Sequence, residues 1–404
     1  MAGTIVQGNV STEEQLGPSA ATSAEGEKVI DMDTRIRKLR PEGSQFTTMT
    51  DKTPSRATTR EKVNWLEEDD FPRIVSNTSA QISTDTTFPL TAGQGKIVMA
   101  NDVLRNMRSG EAIRVVSVAT DSVTVARSIN GNPAAAAINA SDQWLVVADA
   151  QPQGSDFPTP RYLQRVLGFN FTQITRTTWG FTGTDTAIEK YGGREPGKEA
   201  VRKAREHQRK WEAIGFFGAR SFTAAVAPEN EPRGTAGGLQ EFITTWKTDV
   251  NGQLTPTVFD TFLMNVMAWG STNKVLFAAP LVVLSMSQWN RSGMGSQWDP
   301  SPRDVHGVKV DAFISGAYGY RVPVVVKKEW AEFPYANKGY GSYAFIVDMD
   351  YVERRPMRDR DTKLMTDEQP KGKDSVNAGY ITEATYEIAQ EKAHGLLFGV
   401  TAPP

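Results

Sequence analysis

The chain has 404 residues and no cysteine, which excludes a disulfide framework, thiolate catalysis and Cys-ligated zinc. Its 45 basic and 47 acidic residues leave a formal charge of −2, so no bulk field points at nucleic acid or a membrane, although local basic patches stay possible. The length predicts more than one lobe. Residues 1–30 lack an apolar run of signal-peptide type, and the longest apolar run, Val275 to Leu284, is interrupted by Pro280 and falls short of a membrane span. The expectation is a soluble protein made and used in a cytoplasm.

Residues 1–45 read as an N-terminal arm. No aromatic precedes Phe46, and small and polar residues dominate, a composition that buries too little to order itself. Arg35, Arg37, Lys38 and Arg40 form a basic cluster, read either as a solvated face or as a contact to nucleic acid or an acidic neighbour. Residues 46–77 read as an extended segment with Trp65 as its aromatic anchor and an acidic knot at Glu67 to Asp70. Residues 78–150 read as a small β module. Ile97–Met99, Ala112–Val118, Ser122–Ala126 and Trp144–Val147 are β-branched runs, with turn signals at Thr120-Asp121 and Asn130-Gly131. The flanks 46–77 and 151–185 resemble the two legs of one long hairpin, so the module reads as inserted.

From Gly168 to Thr184 a threonine-rich stretch alternates like a strand, with Phe169, Phe171, Ile174 and Trp179 among exposed-type residues. A helix follows from about Pro196 to Gly218, with proline near its start and glycine at its end. At about 1.5 Å per residue it spans roughly 33 Å. Val201, Ala204, Gln208, Trp211 and Gly215 share one side, and Glu199–Lys203, Arg202–Glu206 and Glu206–Lys210 are i,i+4 pairs. Such a strand and helix need neighbours to cover them. From Thr235 the pattern becomes α+β. Helices are expected at Pro256–Gly270 and Leu281–Trp289, and strands at Val275–Ala279, Tyr320–Val326 and Tyr343–Val347. Residues 352–376 read as a charged loop, and Ala378 to Gly399 alternates like strands.

No chemistry-bearing constellation emerges. The three histidines, His207, His306 and His394, stand at no metal-ligand spacing, and His207 reads as solvated or interfacial. Glu67–Asp70, Asp348/Asp350 and Asp359/Asp361 lack the calcium-loop pattern and read as surface or salt-bridging carboxylates. Walker-type, dinucleotide and nucleophile-elbow signatures are absent, and Gly234 to Gly238 reads as a tight connection. No catalytic residue, cofactor or metal is expected.

The order of parts nevertheless resembles a known group. The residues carrying the likeness are Asn64-Trp-Leu-Glu-Glu-Asp69, Asn170-Phe-Thr-Gln-Ile-Thr-Arg176, Thr182-Gly-Thr184, Trp211-Glu-Ala-Ile-Gly-Phe-Phe-Gly218, Gly237-Gly-Leu239, Glu383 and His394-Gly395. They resemble the major capsid proteins of tailed phages, of the Hong Kong 97-type α+β fold, in a branch with a β-rich insertion in its extended loop. The resemblance implies a spine helix and peripheral domain over 186–234 and an axial domain over 235–355. Residues 356–404 would supply return strands, and the extended loop (46–185) and the arm would lie across neighbouring subunits. It implies a virion shell subunit, assembled in the host cytoplasm into hexamers and pentamers around double-stranded DNA. The expected partners are a scaffolding protein, a portal and a decoration protein, with no membrane. Arg161, Arg165, Arg176, Arg194 and Arg202 are candidates for inter-subunit ion pairs, with Asp69, Asp70 and Glu206 as partners. Trp65 and Trp211 are candidate packing anchors, at an interface or within the core. No residue matches the family's isopeptide crosslinking positions. Two other readings are an encapsulin-like nanocompartment shell, and a carbohydrate-binding or adhesin-like virion protein with 78–150 as the binding module.

Overall fold

The computed structural model describes residues 44–131, 137–188, 195–226, 231–291, 298–305, 308–314, 319 and 321–402. Arg35, Arg37, Lys38, Arg40, Arg194 and His306 lie outside the described residues. The chain forms two compact units, one comprising the residues up to Trp65 and from Phe169 onward, the other Leu66–Gly168.

The segment read as extended begins instead with a helix, α1, Gln45–Lys52. Three of its eight residues are threonine, a poor helix former, and Ser44 makes no side-chain cap. The cap comes from far along the chain: the N–H groups of Phe46 and Thr47 donate to the Glu212 carboxylate at 2.9 and 2.8 Å. Strand β1, Lys62–Glu67, then turns Val63 and Trp65 inward.

The inserted unit contains β2 (Ile74–Ser76), β3 (Thr87–Pro89), β4 (Asp102–Asn106), β5 (Ala112–Ala119), β6 (Ser122–Ala126) and β7 (Gln143–Asp149). They form one antiparallel sheet in the order β2-β7-β4-β5-β6-β3. Its own core includes Val75, Phe88, Leu104, Ile113, Val123 and Trp144. The unit is wider than 78–150 because β2, upstream of residue 78, pairs with β7. The strand expected at Ile97–Met99 does not form. Gln94–Ile97 is a 3-10 turn, held where the Gly95 N–H donates to Asp121 at 3.0 Å. A Cβ on Gly95 would lie 1.6 Å from the Thr120 carbonyl oxygen, so only glycine permits this approach. Bulges at Val116 and Val147 turn both valines outward. The buried ion pair Arg127–Glu111 (2.7 Å) and the paired contacts of Arg108 with Asp142 (2.8 and 2.7 Å) fasten the loops.

The other unit continues with β8 (Val166–Phe171) and β9 (Gln173–Thr182), two strands where one was read. They are separated at Thr172, whose N–H donates to the Glu61 carbonyl at 2.8 Å. A short helix α2 (Gly183–Ala187) is capped by the Thr182 hydroxyl, which accepts from the Asp185 N–H. The long helix α3 is Glu195–Phe217. Its buried face carries His207, Trp211, Glu212 and Phe216, while Val201 is exposed, so the face is rotated from the stripe read in the sequence. Arg202 pairs with Glu199 (2.9 Å), and Glu206 with Lys203 (2.7 Å) and Lys210 (3.4 Å).

The hairpin β10 (Ser221–Val226) and β11 (Glu231–Thr235) follows, then α4 (Leu239–Phe242), β12 (Lys247–Gly252) and α5 (Pro256–Met267). Next come β13 (Lys274–Ala278), α6 (Pro280–Arg291), β14 (Trp298–Val305), β15 (Val308–Ile314), β16 (Arg321–Val326) and β17 (Ala344–Asp348). The chain continues with β18 (Val352–Pro356), β19 (Lys363–Met365), β20 (Ser375–Ile388) and β21 (Gly395–Val400). Seven of these strands form a mixed sheet, β12-β21-β17-β13-β16-β15-β14. Every residue of β13 and β17 is buried, the pattern of central strands covered on both faces. The charged loop expected at 352–376 holds β18 and β19, both paired with β20, whose first half pairs with β9. Phe46 ties the layers together, its ring 4.7 Å from Phe216, 5.5 Å from Phe277 and 5.7 Å from Tyr386.

Candidate assembly surfaces

The self-association expected from the sequence would call for a rigid frame and an uncovered surface. The frame is a set of buried polar knots. Asn170 is fully buried, and its amide is satisfied on both sides: Nδ2 donates to the carbonyls of Gly237 (3.1 Å) and Tyr386 (2.7 Å), and Oδ1 accepts the Gly237 N–H (2.8 Å). One side chain thus joins β8, the turn before α4, and β20. Glu212 accepts from α1 and pairs with the buried Lys327. Arg354 bridges Asp51 and Asp361, each at 2.9 Å, and lies over the Trp211 ring. Burial pushes the Asp51 carboxyl upward against the pull of Arg354. Glu383 accepts from Thr172 and pairs with Arg360 at 2.6 Å.

Two histidines belong to the frame. His207 is buried between the Thr177 and Thr382 hydroxyls at 3.0 and 2.8 Å, which corrects the solvated or interfacial reading; β9 and β20 enclose it. Burial, aided by the charges of Lys210 and Arg354, lowers its pKa to about 4. His394 accepts the Asp348 N–H on Nδ1 (3.1 Å) and faces the Ala389 carbonyl with Nε2 (3.2 Å), so the proton sits on Nε2. Burial, with Lys274 nearby, lowers it to about 4 as well. Asp348 is also buried; it pairs with Lys274 (3.2 Å) and accepts from Ser271.

Most of the candidate contact residues have partners inside the chain. Trp65 is buried beside Phe242, ring to ring 5.9 Å, and Trp211 is buried beside Tyr386 at 6.2 Å. Arg161 reaches the Ile97 carbonyl and Asp102 and covers the Phe71 ring, while Arg165 pairs with Glu68 at 2.9 Å. Arg176, Asp69, Asp70 and Arg202 are exposed. Arg176 borders an open groove of about 550 Å³ on β9 and β20, also lined by Trp179, Met365 and Tyr380. Asn170, Glu212, Lys327 and Arg354 escaped sequence reasoning as frame residues because their partners lie far off in the chain, Asn170 and Tyr386 being 216 positions apart.

The uncovered surface is apolar in places. Every residue from 151 to 167 is exposed, with neither helix nor strand until β8. Phe157 is fully exposed, Tyr162 is 84% exposed, and Val166 and Leu167 continue the run. Pro152, Pro158 and Pro160 stiffen it. Ile174, Phe222, Leu364, Met365 and Val376 are large exposed side chains of the other unit. Contiguous exposed apolar surface is a common mark of contact with other macromolecules, whereas isolated exposed side chains are ordinary.

Comparison with known proteins gives this surface its context. The family described as SU10 major capsid protein matches residues 9–401. The chain belongs to that family. A major capsid protein of Pseudomonas phage PaMx41 is 28% identical over 229 residues, covering 53% of this chain and 53% of that protein. The chain therefore spans about half the length of the curated relative it matches. A solved chain from Gordonia phage Cozz superposes with a TM-score of 0.50 at 10% identity, covering 96% of this chain and 98% of that one. The capsid of a native GTA particle gives 0.48 at 10% identity over 96% and 100%. At such identity the Cozz likeness speaks for the fold alone, the Hong Kong 97-type capsid fold read from the motifs.

Proposed function

We propose that this SU10-family chain is the subunit of a tailed-phage head, assembling with copies of itself into a closed icosahedral shell around double-stranded DNA. The family match over nearly the whole chain carries this reading. The exposed apolar run from 151 to 167 supports it, because a shell offers neighbours to cover such a segment. The protein works through shape and contact, without a catalytic step, as a component of the virion put together in the host cytoplasm. Arg176 and Asp70 are exposed charges that would serve for pairs between subunits, each worth about 0–1 kcal/mol when exposed. A scaffolding protein, a portal and packaged DNA are the further partners of this reading, with the inserted unit as the platform for a decoration protein. Electron microscopy of the chain expressed alone and with its scaffold tests the proposal. Closed shells or capsomers are expected, and a strictly monomeric protein under both conditions rejects it.

A further inference from the structure

A sheet edge exposes unpaired N–H and C=O groups, and proteins blunt such edges with charge, proline, brevity or cover. The edge strands of the described residues nearly all show such protection. β2, β3 and β19 have three residues each. β1, β9, β11, β12, β14 and β18 contain charged residues. β8 is uncharged, but the Phe169 carbonyl accepts from Arg220 and Asn170 is buried.

β10 differs. It is Ser-Phe-Thr-Ala-Ala-Val, six residues with neither charge nor proline. Among the described residues it pairs only with β11, in a two-stranded sheet, and residues 221–225 are exposed. A lone two-stranded hairpin is marginal in water. Here Phe222 stacks on Phe171 at 5.2 Å and the Thr235 hydroxyl of β11 donates to the Ala219 carbonyl at 2.7 Å, yet Phe222 keeps 42% of its surface exposed.

We infer that the free edge of β10 is completed by β10 of a second copy, antiparallel across a two-fold axis, making a four-stranded sheet from two hairpins. Self-pairing suits this strand because it sets no like charges opposite one another, and a two-fold contact uses the same patch on both copies. The inference rests on the shell reading, which supplies the second copy.

The absence of cysteine makes the test direct. Thr223→Cys, Ala224→Cys and Ala225→Cys, each in the full chain, are assembled, mildly oxidised and run on a non-reducing gel. Facing residues of an antiparallel pair bring their Cβ atoms within about 5.5 Å, close enough for a disulfide to form with slight adjustment. At least one variant is expected to run as a dimer from particles and as a monomer from dissociated subunits. Particles that form normally with all three variants monomeric overturn the inference. As a second measurement, the double variant Thr223→Lys, Ala225→Lys is expected to fold with an unchanged circular dichroism spectrum and to lose closed particles. Particles as abundant as those of the parent chain overturn it equally. If the parent chain itself forms no shell or capsomer, the shell reading fails; if it does and β10 stays unlinked, this inference alone fails.

Discussion

Glu212 shows how much of this subunit depends on single buried charges. It caps α1 through the Phe46 and Thr47 N–H groups, accepts from the Thr47 hydroxyl at 2.9 Å, and neutralises Lys327. Glu212→Ala removes all of these and leaves the buried Lys327 ammonium without a carboxylate, facing the Gln45 side-chain oxygen and the Phe216 ring. Breaking a buried pair from one side costs about 3–5 kcal/mol, so the urea midpoint should fall accordingly; an unchanged midpoint rejects the assignment. His207 and His394 lead to a pH dependence. Both titrate near 4 when folded, against about 6.5 unfolded. Between those values the unfolded chain binds more protons, so this stability is complete above pH 6.5 and is lost as the pH falls toward 4. At pH 5 the loss relative to pH 8 is about 2 kcal/mol per histidine. Urea unfolding of subunits at the two pH values measures it, and His394→Gln should roughly halve the difference. An equal difference in the variant removes His394 from this role. None of these partnerships was legible in the sequence, since Glu212 meets Phe46 across 166 positions and no local spacing encodes that.

Among the elements, α3 and the central strands were the legible ones. Proline and glycine bracket α3, and β13 and β17 are short apolar runs buried on both sides. α1 was illegible because its propensity is poor and its cap is tertiary. β18 was hidden by its charges, which the fold pairs with distant carboxylates, Arg354 with Asp51 and Arg355 with Glu387, and β19 by its three-residue length and exposure. The buried face of α3 was misjudged because it contains a histidine and a glutamate, which polarity alone assigns to water. The same helix provides a paired prediction. A Cβ on Gly215 would stand 2.5 Å from the Phe46 ring, so Gly215→Ala should push α1 outward and cost about 1–3 kcal/mol. Gly197 has no atom within 4 Å of its Cβ position, and Gly197→Ala should stabilise by up to about 1 kcal/mol. Thermal melts showing the same sign for both would refute this account of the α1–α3 contact.

For the whole molecule, the division into two units carries a prediction of its own. Leu66–Gly168 has a six-stranded sheet, a separate core and internal ion pairs, the attributes of a segment able to fold alone. Expressed by itself it should unfold cooperatively in urea, and a gradual, featureless transition would rule this out. That an inserted β module exists was readable from its strand runs; its extent was not, because the pairing of β2 with β7 joins segments about seventy residues apart.

The position of β21 has a consequence for how the chain is made. Residues 395–400 occupy an interior place in the seven-stranded sheet, between β12 and β17. The ribosome delivers roughly 5–20 residues per second, so for many seconds the emerging chain lacks the strand that must lie between two others. A chain that stops short of residue 400 cannot complete this sheet, so the fold of the subunit closes only once β21 has been made.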